Sequence, residues 1–247
     1  MITYRSRDVK RVRLDTLLSE RGDFPSRSRA AASVLAGEVL LLPERRRAEK
    51  PGQLVPADVA VEVRAGAAFV SRGGVKLANA LDALGLDVRG VRALDVGYGE
   101  LDWRLRGDSR VTVIERRNAR SLSPEELRYR PEVIVIDVSF ISLRKMLPAA
   151  LACAAERFDC LALIKPQFEV GRALVGKGGV VRDAEARRGA LVSVGQFAAS
   201  GLGASVLGYA SSGLPGPKGN LETFVWLAEG GREGVSDIAA AAREVEP

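Results

Sequence analysis

Val133-Ile134-Val135-Ile136-Asp137-Val138-Ser139-Phe140 is an apolar, β-branched run that stops abruptly on an acid. A second run of the same kind, Leu161-Ala162-Leu163-Ile164, stops on a lysine and continues Lys165-Pro166-Gln167-Phe168-Glu169. Short apolar runs without alternation mark strands buried on both faces, because a strand with one wet face alternates. A charge where such a run ends lies at the rim of the sheet. In open α/β sheets, ligands bind beyond the carboxyl ends of the strands. Asp137 and Lys165, on successive strand ends, therefore read either as a structural ion pair or as two members of a site.

Outward from these runs, strand candidates fall at Arg92–Val96, Val111–Ile114, Val133–Asp137, Cys160–Ile164, Ala204–Ala210 and Thr223–Leu227. Long helices fit Leu143–Arg157 and Asp183–Ala199. Another helix follows Ser71-Arg72-Gly73-Gly74-Val75-Lys76, with Leu77, Leu81 and Leu84 on one face. This alternation predicts an α/β fold, a mostly parallel, Rossmann-like sheet covered on both faces. Gly176-Lys177-Gly178-Gly179 is a flexible basic loop able to cover a site or contact phosphate. Glu222, in Pro215-Gly216-Pro217-Lys218-Gly219-Asn220-Leu221-Glu222, reads on its own as a solvated loop acid. Residues 229–247 lose the apolar pattern and are expected to fray.

The first 64 residues read as a separate small α+β unit, joined by a short small-residue linker at 65–70 to the larger domain at 71–228. A helix at Leu14–Arg21 stops at Gly22, and Ser26 caps a second helix, Arg27–Ala36, that stops at Gly37. Val39–Leu42 and the alternating Val59, Val61 and Val63 read as strands. Residues 1–66 carry 13 basic and 9 acidic residues, so most of the chain's net +6 sits in this quarter of the chain. Eleven of the 13 are arginine, which suits phosphate forks. Arg13, Arg27 and Arg29 flank the helices, and Arg45, Arg46 and Arg47 form a basic loop. These six are the candidate contacts to the phosphates of a polyanionic partner.

Composition removes much of the remaining chemistry. The chain has no histidine, which rules out Ser-His-Asp triads, Cys-His pairs and His-based zinc sites. Its two cysteines, Cys153 and Cys160, share one apolar stretch with neither zinc nor disulfide spacing, so no metal site is expected and a reducing cytoplasm is the expected compartment. The charged N-terminus lacks the apolar core of a secretory signal, and the longest apolar run, Met146 to Ala155, is about half a membrane span. Proton transfer is left to Lys, Asp, Glu, Tyr or the substrate.

Residues 11–64, through RLD, PSRSRAAASVLAGEV and KPGQLV, resemble the S-four RNA-binding domain. One departure is the turn after the second helix, LLPERRR where that family carries V-x-V-N-G. The strings SRGGVKL, VIDVSFISL, IKPQFEVGR, VGKGGVVRD and GPKGNLE, in this order, resemble the TlyA family over about residues 11–228. TlyA proteins, historically labelled hemolysins, are ribosomal-RNA 2′-O-methyltransferases that join an S-four domain to an FtsJ-type methyltransferase domain. The resemblance implies S-adenosylmethionine as cofactor and ribosomal RNA or ribosomal subunits as partner; the lack of an apolar span implies no membrane partner. It also implies a Lys-Asp-Lys-Glu catalytic tetrad, which falls on Lys76, Asp137, Lys165 and Glu222. In that role Lys165 orients or deprotonates a ribose 2′-hydroxyl, Asp137 holds Lys165, and Glu222 fixes Lys76 or the ribose.

The same resemblance exposes a gap. The family's first strand ends in a glycine-rich turn that receives the cofactor's amino-acid end, followed by a helix and a second strand ending in a ribose-binding acid. Here Arg92-Ala93-Leu94-Asp95-Val96-Gly97 runs straight into Tyr98-Gly99-Glu100-Leu101, as if the two strands were fused at a shared D-V-G. A strand-loop-helix unit is missing by this reading. Asp95 matches either the first-strand acid or the ribose-binding acid. Gly97 and Gly99 form a remnant G-x-G, and Asn118 and Ala119 match the adenine-side segment. Asp95, Gly97, Gly99, Asn118 and Ala119 are thus the candidate cofactor contacts, and cofactor binding is expected to be impaired. The rival readings are a catalytically impaired RNA-binding protein, a pseudouridine synthase suggested by Arg13-Leu14-Asp15, and a cytolysin. The last lacks both a membrane span and a strongly basic amphipathic helix.

Overall fold

In the computed structural model of the 247-residue chain, residues 11–24, 26–63, 69, 71–97, 101 and 103–246 are described. The chain divides into two compact units, Met1–Gly74 and Val75–Pro247.

The first unit runs β1 (Arg11–Arg13), α1 (Leu14–Glu20), α2 (Arg27–Ala36), β2 (Val39–Leu41), β3 (Arg46–Arg47), β4 (Leu54–Pro56) and β5 (Val61–Val63). β1 pairs with β4, and β2 lies between β3 and β5, all antiparallel. Ser26 caps α2 as its sequence predicts, its Oγ accepting from the Arg29 N–H at 3.2 Å, and Gly37 closes the helix in the left-handed region with φ 75°. Leu14, Leu17 and Leu18 of α1 meet Ala30 and Val34 of α2 over Val39, Leu41 and Val55, and this small core holds the unit together.

The second unit begins with α3 (Arg72–Leu84) and continues β6 (Ala93–Gly97), α4 (Trp103–Arg106), β7 (Val111–Glu115), β8 (Val133–Ile136), α5 (Leu147–Ala152), β9 (Asp159–Ile164), α6 (Pro166–Glu169), α7 (Ala184–Gln196), β10 (Ser205–Ser211), β11 (Thr223–Ala228) and α8 (Ile238–Val245). Its main sheet has the order β10-β11-β9-β8. Along β9 the side chains alternate between two cores. Leu161 and Leu163 pack with Ala80, Leu77, Leu81 and Leu84 of α3, while Cys160, Ala162 and Ile164 pack with Leu147, Leu191 and Val194 on the other face. Both faces of the sheet are therefore covered, which is why its strands read as unbroken apolar runs.

Four expectations change. The main sheet is not mostly parallel: β8 and β9 are parallel, but β9–β11 and β11–β10 are antiparallel. The other parallel pair, β6 and β7, forms a separate two-stranded sheet. Among the described residues nothing hydrogen-bonds β6 or β7 to β8, and Val135 of β8 is 44% exposed. The long helix expected over Leu143–Arg157 is a 3-10 turn, Leu143–Lys145, followed by the short α5. Pro148 has no N–H to donate and fits only the first turn of a helix, so no helix runs through it. Finally, residues 229–247 do not fray. Asp237 caps α8 by accepting from Ala239 and Ala240, Ala242 is fully buried, and Arg187 of α7 clasps Glu246 at 2.6 Å. Val235, Ile238 and Val245 pack on the main core beside Ala242, so the segment carries four apolar anchors despite its polar ends.

Candidate active site

Sheet register gathers the first three site residues. Ile136, the last residue of β8, lies beside Ala162, so Asp137 emerges at the carboxyl end of β9. Thr223, the first residue of β11, pairs with Ile164, so Glu222 and Lys165 leave the sheet at the same rim. Lys165 Nζ sits 2.7 Å from Asp137 Oδ1 and donates to Ser139 Oγ at 3.0 Å. Two of its three N–H groups are thereby directed, and the third can serve a substrate oxygen. The Lys165 side chain is largely enclosed and that of Asp137 is partly open, so the pair borders solvent.

Lys76 comes from α3 and pairs with Glu222; both are buried, at 6% and 3% exposure. The solvated-acid reading of Glu222 is overturned. Its carboxylate lies under the loop that precedes β11, and a Cβ at Gly216 would collide with Glu222 Oε1, so the loop closes over the acid only because position 216 carries no side chain. The four tetrad candidates thus stand as two ion pairs, Asp137–Lys165 and Lys76–Glu222.

Three further residues hold this rim in shape, and the linear sequence does not mark their role. Glu169, at the end of α6, accepts from Ser142 Oγ at 2.6 Å and from the Leu143 N–H at 2.7 Å, tying the segment after Asp137 to the segment after Lys165. Burial pushes the Glu169 carboxyl above its ordinary value, against the opposing pull of those two donors and Arg144. Asn220 is buried and clamps two loops with its one amide, accepting from the Val181 N–H at 2.9 Å and donating to the Gly179 carbonyl at 2.8 Å. Phe140 takes a left-handed backbone, φ 64°, at a cost of about 1–2 kcal/mol for a residue with a side chain. Its ring is 92% exposed, 5.3 Å from that of Phe168.

The candidate cofactor residues lie on the detached pair of strands. Asp95 and Gly97 are on β6, opposite Val113 and Glu115 of β7. Asn118 and Ala119 follow β7, where Asn118 Oδ1 accepts from the Arg120 N–H at 3.1 Å. Gly99 lies outside the described residues. The sequence runs from Asp95-Val96-Gly97 directly into Tyr98, without the glycine-rich turn that the family resemblance leads one to expect there.

In the first unit, Arg13 and Arg27 both bind one carboxylate. Arg13 grips Asp15 through Nε at 3.1 Å and Nη2 at 2.8 Å, and Arg27 Nε reaches it at 3.1 Å. The Arg13 hydrogen bonds hold the Asp15 carboxyl well below the usual carboxylate range, with burial opposing and Arg27 and the Thr16 N–H adding to the shift. Both arginines remain about half exposed. Arg45 pairs with Glu62 and Arg46 with Glu49.

Comparison with known proteins bears on this arrangement. Residues 85–229 match the FtsJ-like methyltransferase family. A Mycobacterium tuberculosis protein named 16S/23S rRNA (cytidine-2′-O)-methyltransferase TlyA is 42% identical over 245 aligned positions, covering 89% of this chain and 90% of the relative. YqxC of Bacillus subtilis, named as a candidate rRNA methyltransferase, is 37% identical over 250 positions, covering 90% and 88%. Both alignments span more positions than the covered share of this chain can fill, so the relatives carry positions that have no counterpart here. Among solved structures, a candidate hemolysin from Streptococcus thermophilus superposes with a TM-score of 0.68 at 29% identity over 96% of both chains.

Proposed function

This chain belongs to the FtsJ-like methyltransferase family, within its TlyA group, and from that premise we propose that it methylates the ribose 2′-hydroxyl of a cytidine in ribosomal RNA. The observation that carries the reading is the convergence of Asp137–Lys165 and Lys76–Glu222 at one rim of the sheet. S-adenosylmethionine, the donor such enzymes imply, supplies an electrophilic methyl group. The chain's own residues act on the acceptor. The free N–H of Lys165 holds the 2′-oxygen, and Asp137 and Ser139 fix the direction of that lysine. Glu222 and Lys76 set the floor beneath them. No histidine is needed, because the acceptor requires alignment more than a strong base.

The first unit is the proposed S-four-type RNA-binding domain at residues 1–64, joined through 65–70 to the methyltransferase domain at 71–228. Its arginines engage phosphate, with Arg13 and Arg27 prearranged by Asp15. The proposed partner is ribosomal RNA or a ribosomal subunit, and the proposed compartment the cytoplasm. No described helix is long and apolar enough to cross a membrane.

Radiolabelled methyl transfer to purified ribosomal subunits tests the reading. The missing glycine turn predicts turnover far below that of an intact relative, abolished by Lys165→Ala. Inserting a family strand-and-loop segment between Asp95 and Gly97 should restore it. No transfer by either protein would end the proposal. The split sheet favours one second reading, a catalytically impaired RNA-binding protein, marked by salt-dependent RNA binding that survives Lys165→Ala together with silent methyl transfer.

A further inference from the structure

Several cations of the second unit pair with a nearby acid: Arg89 with Asp87, Arg110 with Asp108, Arg117 with Glu126 and Arg188 with Glu185. Other exposed cations stand apart from acids, and three of these lie together. Lys177, Arg182 and Lys218 are exposed, and among the described residues none has an acidic partner. They cluster around a single turn. The Gly176 N–H donates to the Val180 carbonyl at 3.0 Å and the Gly179 N–H to the Gly176 carbonyl at 3.0 Å, closing a hairpin with Lys177 at its tip. Gly178 and Gly179 both lie in the left-handed region, at φ 85° and 81°. Arg182 Nη1 is 3.2 Å from the point where a side chain at Gly176 would begin, and Lys218 Nζ is 3.7 Å from the same point at Gly179.

Three cations packed around one turn repel one another, and the glycines let two of them close over its backbone. What holds the arrangement is Asn220, whose buried amide fastens the hairpin at Gly179 and Val181 to the loop that carries Lys218. The acid beside Arg182, Asp183, is occupied in capping α7 through the Glu185 N–H at 3.0 Å. A bound anion would supply a counter-charge that the neighbouring residues do not. Asn220 also stands two residues before Glu222, so the cluster borders the tetrad rim.

We propose that Lys177, Arg182 and Lys218 form a phosphate-binding lip that grips the RNA backbone flanking the target ribose. This rests on the ribosomal-RNA reading above. The lip gives the second unit its own hold on the RNA strand, separate from the arginines of the first unit. Its ligand is the repeated phosphodiester: Lys177 and Lys218 present point charges, and the guanidinium fork of Arg182 matches a phosphate's oxygens.

The test is binding of the full chain to purified ribosomal subunits and to naked ribosomal RNA over a range of salt. The triple variant Lys177→Gln/Arg182→Gln/Lys218→Gln should flatten the slope of log affinity against log salt by about 2 and weaken low-salt binding by about tenfold or more. The control Arg89→Gln/Arg110→Gln/Arg243→Gln removes the same charge elsewhere and should leave the slope near wild type. The single variants Lys177→Gln and Lys218→Gln should each flatten it by about 0.7, which keeps the test sound if the triple variant folds poorly. A triple variant indistinguishable from wild type, or from the control, overturns the lip while leaving RNA binding in place. A wild-type chain that binds neither subunits nor naked RNA at low salt ends the ribosomal-RNA reading, and the lip with it.

Discussion

Replacing Glu222 with glutamine keeps its shape and removes its charge, leaving the Lys76 ammonium alone in a site where it is 6% exposed. Breaking a buried pair by removing one partner costs about 3–5 kcal/mol, because the surviving charge has lost both water and counter-ion. For a unit of this size, 1 kcal/mol shifts the melting temperature by about 2–4 °C, so Glu222→Gln should lower it by roughly 6–20 °C. Lys76→Met should cost about as much by stranding the carboxylate. The double variant Lys76→Met/Glu222→Gln buries no net charge and should recover most of the loss, giving a large favourable coupling in the double-mutant cycle. Tryptophan fluorescence reads this unit alone, since both tryptophans, Trp103 and Trp226, belong to it. Single variants that melt within about 1 °C of wild type, or a double variant no more stable than the worse single, would refute the buried-pair argument.

In the first unit, the depressed Asp15 carboxyl contributes stability that is complete above its unfolded value near 3.9 and is lost as pH falls through its lower folded value. Hydrogen exchange of the α1 amides should show this acid-induced loosening in wild type, and Asp15→Asn should be weaker at neutral pH with little further change on acidification. Burial, reinforced by Asp159, pushes the Cys160 thiol up to about 12, and burial also raises Cys153. Neither thiol should therefore react with Ellman's reagent at pH 8 until the chain unfolds, when two should titrate. Asn220→Ala strands the buried Val181 N–H and leaves the part-buried Gly179 carbonyl unmatched, and should cost about 1–3 kcal/mol in denaturant unfolding, with RNA affinity falling alongside.

Local chemistry settled a good part of this protein before any tertiary contact was considered. An apolar run ending on Asp137 or Lys165 states both a buried strand and a rim position, because burial and chain direction are written in consecutive residues. Ser26 and Gly37 bracket α2 for equally local reasons, and ordered motifs along the chain pointed to the family. Tertiary structure alone decided who pairs with whom. Lys76 and Glu222 are 146 residues apart, and only the packing of α3 near the start of β11 turns a loop acid into a buried partner. Glu169 and Asn220 look like ordinary polar residues until register and loop closure bring their partners to them. The arginine richness of the first unit was legible in the sequence, but the shared grip of Arg13 and Arg27 on Asp15 was not, because it joins residues from β1, α1 and α2. The C-terminal helix was missed although Val235, Ile238 and Val245 pack beside Ala242, because their partners lie on distant elements. The separation of β6–β7 from β8 was likewise out of reach, since a strand's neighbours are set by the topology of the whole sheet and not by consecutive residues.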